Sequence, residues 1–314
     1  MSLDEAEHER IYRERIVRRE FADAAPSSSP AVVLMGGQPG SGKSGLLDVA
    51  TDDLSTPTAR AVQIVGDDLR DYHPDYQRLL ASDDRTAAAA TDRDSGRWVQ
   101  MCLAYAREQR YSVIVEGTMR DPQVPLRTAA AFRAAGYRVQ AWVMAVDPLS
   151  SRLGILARYH EQRAAMGYGR FTLNAAHDAA VAGVLDSVDA LQNAGAVDRM
   201  LVVARGPELI ADLPGDASGT RARTLIETER TRPWTPAEVQ AFVARADRVT
   251  ASLPPGHDDR ALLLDLKAAA VTRGADHPVA IADRNFKSRL DRRQALRWPP
   301  RRHQRGPQDP GTER

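Results

Sequence analysis

The sequence predicts an α/β fold of three layers, in which a mainly parallel sheet is covered by helices on both faces. Two observations lead to this prediction. Short apolar runs of strand character alternate along the chain with longer segments of helical period. The first apolar run leads into a glycine-rich segment that ends in Lys43 and Ser44. Strands that alternate with helices imply right-handed crossovers, and therefore parallel strands.

Five strands are predicted, and helical patterns lie between them. The strands are expected at residues 31–35, 61–65, 111–115, 137–146 and 199–203. The helices between them are expected to include residues 94–110, 124–135, 148–163 and 174–193. Ahead of the first strand, residues 3–21 are rich in charge and carry apolar side chains at Ile11, Ile16 and Phe21. This pattern predicts an exposed amphipathic helix.

A phosphate-binding pattern follows the first strand. Residues 37–44 match G-x-x-x-x-G-K-[ST] and stand between an apolar run and a helical segment, which is the context that gives this pattern its meaning. The backbone N–H groups of such a loop converge on phosphate, Lys43 reaches the β- and γ-phosphates, and Ser44 ligates Mg²⁺. The predicted nucleotide-binding residues are Gly37, Gln38, Pro39, Gly40, Ser41, Gly42, Lys43 and Ser44.

Polar side chains end the second and third strands. Ligands of parallel sheets bind beyond the carboxyl ends of the strands, so both groups are candidate site residues. Asp67 could accept a proton from a substrate hydroxyl or help to hold Mg²⁺, although the cap of a helix is an equal alternative. Glu116, Thr118 and Arg120 offer an acceptor, a hydroxyl and an anion clamp, with a capped turn as the alternative.

Arginines are frequent after the fourth strand, at Arg152, Arg158, Arg163 and Arg170. Guanidinium groups stabilise the charge that develops on a phosphoryl group during its transfer. The glycine-rich break at residues 166–169 suits a hinged lid that carries such arginines. The alternative is a helix face exposed to solvent.

Together these residues resemble the zeta toxin family, the kinase toxins of bacterial toxin–antitoxin pairs. The resemblance extends from about residue 32 to residue 203. It includes the phosphate-binding loop, V-G-D-D-L-R-x-x-H-P at 65–74, E-G-T-M-R at 116–120 and R-Y-H-E at 158–161. It implies a P-loop kinase fold. It also implies an activity, the ATP- and Mg²⁺-dependent phosphorylation of the 3′-hydroxyl of the amino sugar in UDP-N-acetylglucosamine.

The resemblance also implies a role for each matching residue. Asp67 would be the general base, Lys43 would keep its place in the phosphate-binding loop, and Arg158 and Arg170 would stabilise the transferring phosphoryl group. The implied substrate contacts are Asp67, Arg70, Glu116, Thr118 and Arg120. Members of the family are blocked by a small helical antitoxin, which is therefore an implied partner. The residues leave open whether a partner exists or whether the helix at 3–21 does this work in cis.

Composition bounds the remaining questions. Residues 1–30 are expected to form the amino-terminal helix and a linker, 31–206 the kinase domain, 207–289 a helical region and 290–314 a basic, disordered tail. A net charge of +1 makes nucleic acid an unlikely partner. The single cysteine, Cys102, fits a reducing compartment, and no signal peptide or membrane span is expected. The expected location is cytoplasmic.

Two other functions remain open from the sequence. A kinase of the same fold could act on another hydroxyl, such as that of an antibiotic, a dinucleotide or a nucleic-acid end, because pocket shape decides the acceptor. A nucleotide-gated binding protein could instead use its carboxyl-terminal region as the effector. An assay with a panel of hydroxyl acceptors would distinguish the first alternative from a kinase of UDP-N-acetylglucosamine. The combination of Asp67, Arg158 and Arg170 argues against the second.

Overall fold

A computed structural model describes residues 2–275 of the chain. Six strands form one sheet in the order β2-β3-β1-β4-β5-β6. Their bounds are β1 Ala31–Gly36, β2 Val62–Val65, β3 Val113–Gly117, β4 Arg138–Met144, β5 Arg199–Ala204 and β6 Glu208–Pro214. All neighbouring strands are parallel except β5 and β6. The predicted α/β fold with a mainly parallel sheet is confirmed.

Helices precede the first strand, connect most of the strands and follow the last one. Their bounds are α1 Glu5–Ile11, α2 Val17–Glu20, α3 Lys43–Leu54, α4 Gly66–Leu69, α5 Tyr76–Ser82, α6 Ala87–Gln109, α7 Gln123–Ala134, α8 Pro148–Met166, α9 Asn174–Asn193, α10 Ala222–Thr231, α11 Pro236–Ser252 and α12 Asp259–Ala275. The central strand β1 is buried along its whole length, as expected for a parallel sheet covered on both faces. The predicted helix at 174–193 has the bounds of α9.

The strand β6 and the helix α10 were not predicted from the sequence. The chain turns back after β5 through Gly206, whose φ of +83° is open to glycine, and β6 pairs antiparallel at the edge of the sheet. Only Leu213 of this strand is buried, so its apolar alternation is weak. The predicted boundary at residue 206 therefore lies in a tight turn within the sheet. The division into domains itself stays a prediction.

The amino-terminal helix is docked on the core, so the prediction that it is exposed was wrong. A π-helical segment, Tyr12–Ile16, joins α1 to α2, and the side chains of Ile11 and Ile16 are fully buried. They belong to the same apolar cluster as Trp98 and Cys102 of α6. The carboxylate of Asp94 also accepts hydrogen bonds from the hydroxyl of Ser2 and the backbone N–H of Leu3. The apolar stripe that the sequence displays is thus the docking face of the helix.

The helix α8 belongs to a core that is distinct from the core of the sheet. One cluster runs through the sheet and the helices that flank it. A second cluster joins α8 to α11 and α12 through Leu153 and Leu156 of α8, Phe242 of α11 and Leu263 of α12. The carboxyl-terminal helices are therefore packed against the helix that carries Arg158. The predicted basic tail at 290–314, and residues 276–289, lie outside the described residues.

Candidate active site

The loop 37–44 connects β1 to α3, which is the arrangement that the sequence predicts. Gly40 and Gly42 adopt φ values of +76° and +92°, a region that side chains with a β-carbon disfavour. A β-carbon on Gly40 would also lie 2.1 Å from the backbone oxygen of Ser151 on α8. The loop is therefore built on glycine for two reasons, its left-handed backbone and its close contact with α8.

Gln38, the second residue of the loop, is fully buried and is held by two distant parts of the chain. Its amide nitrogen donates to the backbone oxygen of Val146 after β4, at 2.7 Å. Its amide oxygen accepts a hydrogen bond of 2.9 Å from Arg230 on α10. Arg230 is itself buried and also donates to the backbone oxygen of Val181. Sequence reasoning missed Arg230, because nothing in the local pattern links position 230 to the loop.

Lys43 begins α3 and its side chain is only 9% exposed. The Nζ atom donates to the backbone oxygen of Gly37 at 2.8 Å and lies 3.5 Å from the Oε1 atom of Glu116. Burial lowers the pKa of the Lys43 ammonium. The carboxylates of Glu116 and Asp67 oppose this shift, while the guanidinium of Arg158 adds to it. Burial also raises the pKa of Glu116, against the effect of Lys43. Four predicted site residues thus influence one another electrostatically.

Asp67 lies on the short helix α4, directly after β2, and its side chain is 56% exposed. Arg70, one turn further on, donates to the Oδ1 atom of Asp67 at 3.3 Å. The rest of the Arg70 guanidinium is bound by α6, through the backbone oxygen of Ala88 and the carboxylate of Asp92. Arg70 is buried, so this contact positions Asp67. The predicted contact of Arg70 with substrate stays a prediction.

The turn after β3 presents Thr118 and Arg120 to solvent. The residue between them, Met119, is buried and adopts a φ of +49°. A β-carbon on Gly36 would lie only 2.1 Å from the sulfur of Met119. The backbone oxygen of Met119 accepts a hydrogen bond of 2.8 Å from the hydroxyl of Ser187. Met119 therefore fixes the turn against the end of β1. The two flanking predicted substrate contacts remain free to face a ligand.

Arg158 lies on α8, and its Nε atom is buried without a hydrogen-bond partner among the described residues. Ser41 Oγ, within the loop, is in the same condition. Buried donors without partners are rare in native proteins, and a bound anion is one way to satisfy them. These two atoms, the open glycine backbone and the charge of Lys43 fit a nucleotide phosphate. Ser44, exposed at the start of α3, fits the predicted ligand of Mg²⁺.

Arg170 lies beyond the end of α8 and forms ion pairs across the cleft. Its guanidinium lies 2.9 Å from Asp68 and 3.3 Å from Asp71, the residues that follow the candidate base. The preceding Gly169 is held by the buried carboxylate of Asp84, which accepts its backbone N–H at 3.1 Å. These pairs hold Arg170 against the segment after β2, and the predicted lid stays a prediction. Asp84 is a positioning residue that the sequence did not reveal.

Ser151, His177 and Asp178 form a hydrogen-bonded chain behind the loop. The hydroxyl of Ser151 lies 2.8 Å from His177 Nε2, and His177 Nδ1 lies 2.9 Å from Asp178 Oδ1. Hydrolases use the same three residue types, but both Ser151 and His177 are fully buried here. The sequence assigned no role to this group. Its position beside Gln38, which also donates to Ser151, makes it a structural support of the loop.

The sheet order, the glycine loop and the buried lysine define a P-loop protein with a kinase-like fold. A sequence profile of the zeta toxin family matches residues 14–212, more than half of the chain, and the chain belongs to that family. The family is one of kinase-like, ATP-binding toxins. The match begins within the amino-terminal helix and reaches into β6, so it is wider than the predicted range of 32–203.

Two curated relatives and one solved structure illustrate this relationship. The chain is 27% identical over 237 residues to toxin zeta of Streptococcus agalactiae, covering 75% of this chain and 81% of that protein. It is 28% identical over 187 residues to toxin PezT of Streptococcus pneumoniae, covering 59% and 73% respectively. A structure of the PezAT toxin–antitoxin system of Streptococcus pneumoniae matches with a TM-score of 0.68 at 23% identity, over 80% of this chain and 98% of that one. Among residues 2–275, no helix is long and apolar enough to cross a membrane.

Proposed function

We propose that this protein is an ATP-dependent kinase that phosphorylates the 3′-hydroxyl of the amino sugar in UDP-N-acetylglucosamine. The observation that carries the proposal is the convergence of charged groups on Lys43. Glu116 lies 3.5 Å from its ammonium, and the charges of Asp67 and Arg158 also act on its pKa. A carboxylate, a lysine and an arginine around a phosphate loop are the groups that phosphoryl transfer to a hydroxyl requires.

Each residue then has a distinct task. Asp67 is exposed at the carboxyl end of β2, where it can accept the proton of the attacking hydroxyl. Lys43 and Arg158 stabilise the charge on the transferring phosphoryl group, and Arg170 is brought to the same edge by its pairs with Asp68 and Asp71. Glu116, Thr118 and Arg120 contact the nucleotide sugar. Mg²⁺, held in part by Ser44, would neutralise the charge of the ATP phosphates.

The experiment is an incubation of the full chain with Mg²⁺-ATP and UDP-N-acetylglucosamine, read by mass spectrometry. We expect a product heavier by one phosphoryl group. The variant Asp67→Asn should lose about two to four powers of ten in rate, the usual contribution of a general base. Asp75→Asn, which removes a carboxylate from a surface pair with Arg78, is the matched control and should keep full rate.

Outcomes that contradict the proposal are equally clear. If Asp67→Asn turns over like the unchanged chain, Asp67 is not the base. If no sugar phosphate forms while ATP still binds, the acceptor is wrong. The same assay with an antibiotic, a dinucleotide and a nucleic-acid end would then identify another hydroxyl.

We also propose that a small helical antitoxin restrains this kinase, as the PezAT toxin–antitoxin relative suggests. We propose a separate partner and not inhibition in cis, because the apolar face of the amino-terminal helix is already packed against α6. An unrestrained chain should therefore arrest growth when its expression is induced in a bacterium. Cells that express Asp67→Asn should grow normally. Growth arrest by both chains would mean that toxicity does not depend on the kinase reaction.

A further inference from the structure

Two histidines and an aspartate meet where the carboxyl-terminal helices contact α8, away from the phosphate-binding loop. His160 lies on α8, His257 in the turn before α12, and Asp259 is the first residue of α12. One possible ligand atom from each residue lies within 4.8 Å of the other two. We propose that these three residues bind a divalent transition-metal ion, of which Zn²⁺ is the best match.

The distances suit a metal without a change of backbone. His160 Nε2 lies 2.8 Å from Asp259 Oδ2, and His257 Nδ1 lies 3.9 Å from the same oxygen. Ligands at about 2.0–2.2 Å from a tetrahedral Zn²⁺ stand a little over 3 Å from one another. The His160–Asp259 distance is shorter than this and the His257–Asp259 distance is longer, so metal binding would require small rotations of these side chains.

The chemistry of the three groups also matches. Imidazole nitrogen and carboxylate oxygen are ligands that Zn²⁺ accepts, and sites with three protein ligands keep a fourth position for water. His257 Nδ1 accepts the backbone N–H of Asp259 at 3.2 Å, so this nitrogen carries a lone pair and no proton, and an ion bound there would take the place of that N–H. His160 donates its Nε2 proton to Asp259. Metal binding at Nε2 would require the neutral ring to carry its single proton on Nδ1 instead.

Two of the three proposed ligands, His160 and Asp259, are largely buried. The side chain of His160 is 7% exposed and that of Asp259 is 14% exposed, while His257, at 30%, faces the solvent from which an ion would enter. The centroids of the His160 and His257 rings are 5.3 Å apart, and the ring planes are nearly perpendicular. An alternative use of these residues is a hydrogen-bonded His160–Asp259 pair that only docks α12.

A metal here would fasten two parts of the chain. His160 is two residues from Arg158, on the helix that also packs against the phosphate-binding loop through Gly154. His257 and Asp259 lie at the start of α12, which packs together with α11 against Leu153 and Leu156 of α8. The ion would thus tie the carboxyl-terminal helices to the kinase domain. This inference does not depend on the identity of the phosphate acceptor.

The test is a titration of the chelator-treated full chain with Zn²⁺, in competition with a chromophoric chelator. We expect one high-affinity site per chain. The variants His160→Gln and His257→Ala should each weaken binding by at least about tenfold, the minimum for damage to a metal site. Asp258→Asn, at an exposed neighbouring carboxylate that is not one of the three ligands, is the control and should bind like the unchanged chain. Absence of a saturable site, or equal binding by all variants, would overturn the proposal and leave the hydrogen-bonded pair.

A second measurement does not rely on variants that must fold. Co²⁺ bound by the unchanged chain should show the visible absorption of a tetrahedral site with nitrogen and oxygen ligands, and Zn²⁺ should displace it. Zn²⁺ should also raise the melting temperature of the unchanged chain, since a ligand that binds the native state stabilises it. An octahedral Co²⁺ spectrum together with an unchanged melting temperature would refute the site.

Discussion

Arg230 donates a hydrogen bond of 2.9 Å to the side chain of Gln38, and this bond joins α10 to the phosphate-binding loop. The other terminal nitrogen of the same guanidinium, Nη1, donates to the backbone oxygen of Val181 on α9 at 2.8 Å. Burial lowers the pKa of Arg230 to about 10, which shows how far the group is withdrawn from water. A single buried side chain thus holds the loop, α9 and α10 in one arrangement.

Replacing this arginine should damage both stability and nucleotide binding. Arg230→Met leaves Gln38 Oε1 and the oxygen of Val181 without these buried donors, and we expect the free energy of unfolding to fall by about 2 kcal/mol. The affinity for ATP should fall by about tenfold or more, because the loop loses its fixed position. Urea unfolding and binding of a fluorescent ATP analogue provide the two measurements.

The control for this prediction lies on the same helix. Arg223 of α10 is partly exposed and pairs with carboxylates of α9. Arg223→Met should cost less than about 1 kcal/mol, as is usual for surface ion pairs, and should leave ATP affinity unchanged. If both variants lost ATP affinity equally, the bond between Arg230 and Gln38 would have no special importance for the loop.

Contact between α8 and the loop gives a second prediction. A β-carbon on Gly154 would lie 2.5 Å from the backbone oxygen of Gly40, so Gly154→Ala must displace the loop or the helix. We expect a loss of about 1–3 kcal/mol in stability and weaker ATP binding. Gly96→Ala, in α6, meets nothing within 4 Å and should stabilise the protein by about 0.5–1 kcal/mol. Thermal unfolding of both variants compares their stabilities. If Gly154→Ala kept its ATP affinity, the contact between α8 and the loop would not control nucleotide binding.

The buried pair of Lys43 and Glu116 predicts how nucleotide binding depends on pH. Burial lowers the pKa of Lys43, and Glu116 opposes that shift, so ATP affinity should fall on the alkaline side as Lys43 loses its proton. Glu116→Gln removes the opposing charge, and the midpoint of this fall should move to lower pH. Thr118→Ala, at the same end of β3, should leave the midpoint in place. The measurement is a titration of ATP affinity between neutral and alkaline pH. A midpoint that moves to higher pH in Glu116→Gln would contradict the prediction.

His177 predicts a loss of stability in mild acid. Burial lowers its pKa below the ordinary value of 6.5. Below that pH the unfolded chain gains a proton that the native chain does not, so the free energy of unfolding should fall as pH drops from about 6.5 toward the native pKa. The slope for one such group is at most about 1.4 kcal/mol per pH unit.

The measurement is urea unfolding at a series of pH values, with chelator present so that metal binding does not contribute. His177→Asn should be less stable at neutral pH, because Ser151 and Asp178 lose their partner, but it should show a smaller slope. An equal slope in the variant and the unchanged chain would assign the acid sensitivity to other groups.

Much of the candidate site could be predicted because its signals are local. The phosphate-binding loop is eight consecutive residues between a strand and a helix. Its glycines indicate where the backbone must adopt a positive φ. Asp67 follows β2 and Glu116 lies near the end of β3, and parallel strands bring such ends to one edge. The pairing of Val65 with Glu116 confirms that the ends of β2 and β3 are adjacent.

Other features depend on partners that are distant in the sequence. The exposed helix predicted at 3–21 is docked, because α6 offers Trp98 and Cys102 to its apolar stripe. Arg70 belongs to a motif, yet its guanidinium turns into α6 and holds Asp67 in place. The strand β6 is visible only through its pairing with β5, since an edge strand that is half exposed lacks a clear apolar period.

By itself the sequence determined the class of fold, the nucleotide loop and the carboxylates that face it, because periodicity and glycine chemistry act over a few neighbouring residues. The tertiary structure decided which groups support that loop and where the carboxyl-terminal helices attach. Arg230 reaches Gln38, and Asp259 reaches His160, across long stretches of chain. Hydrogen bonds of this kind require two surfaces to meet first, and that meeting is set by the packing of whole helices and not by any local pattern.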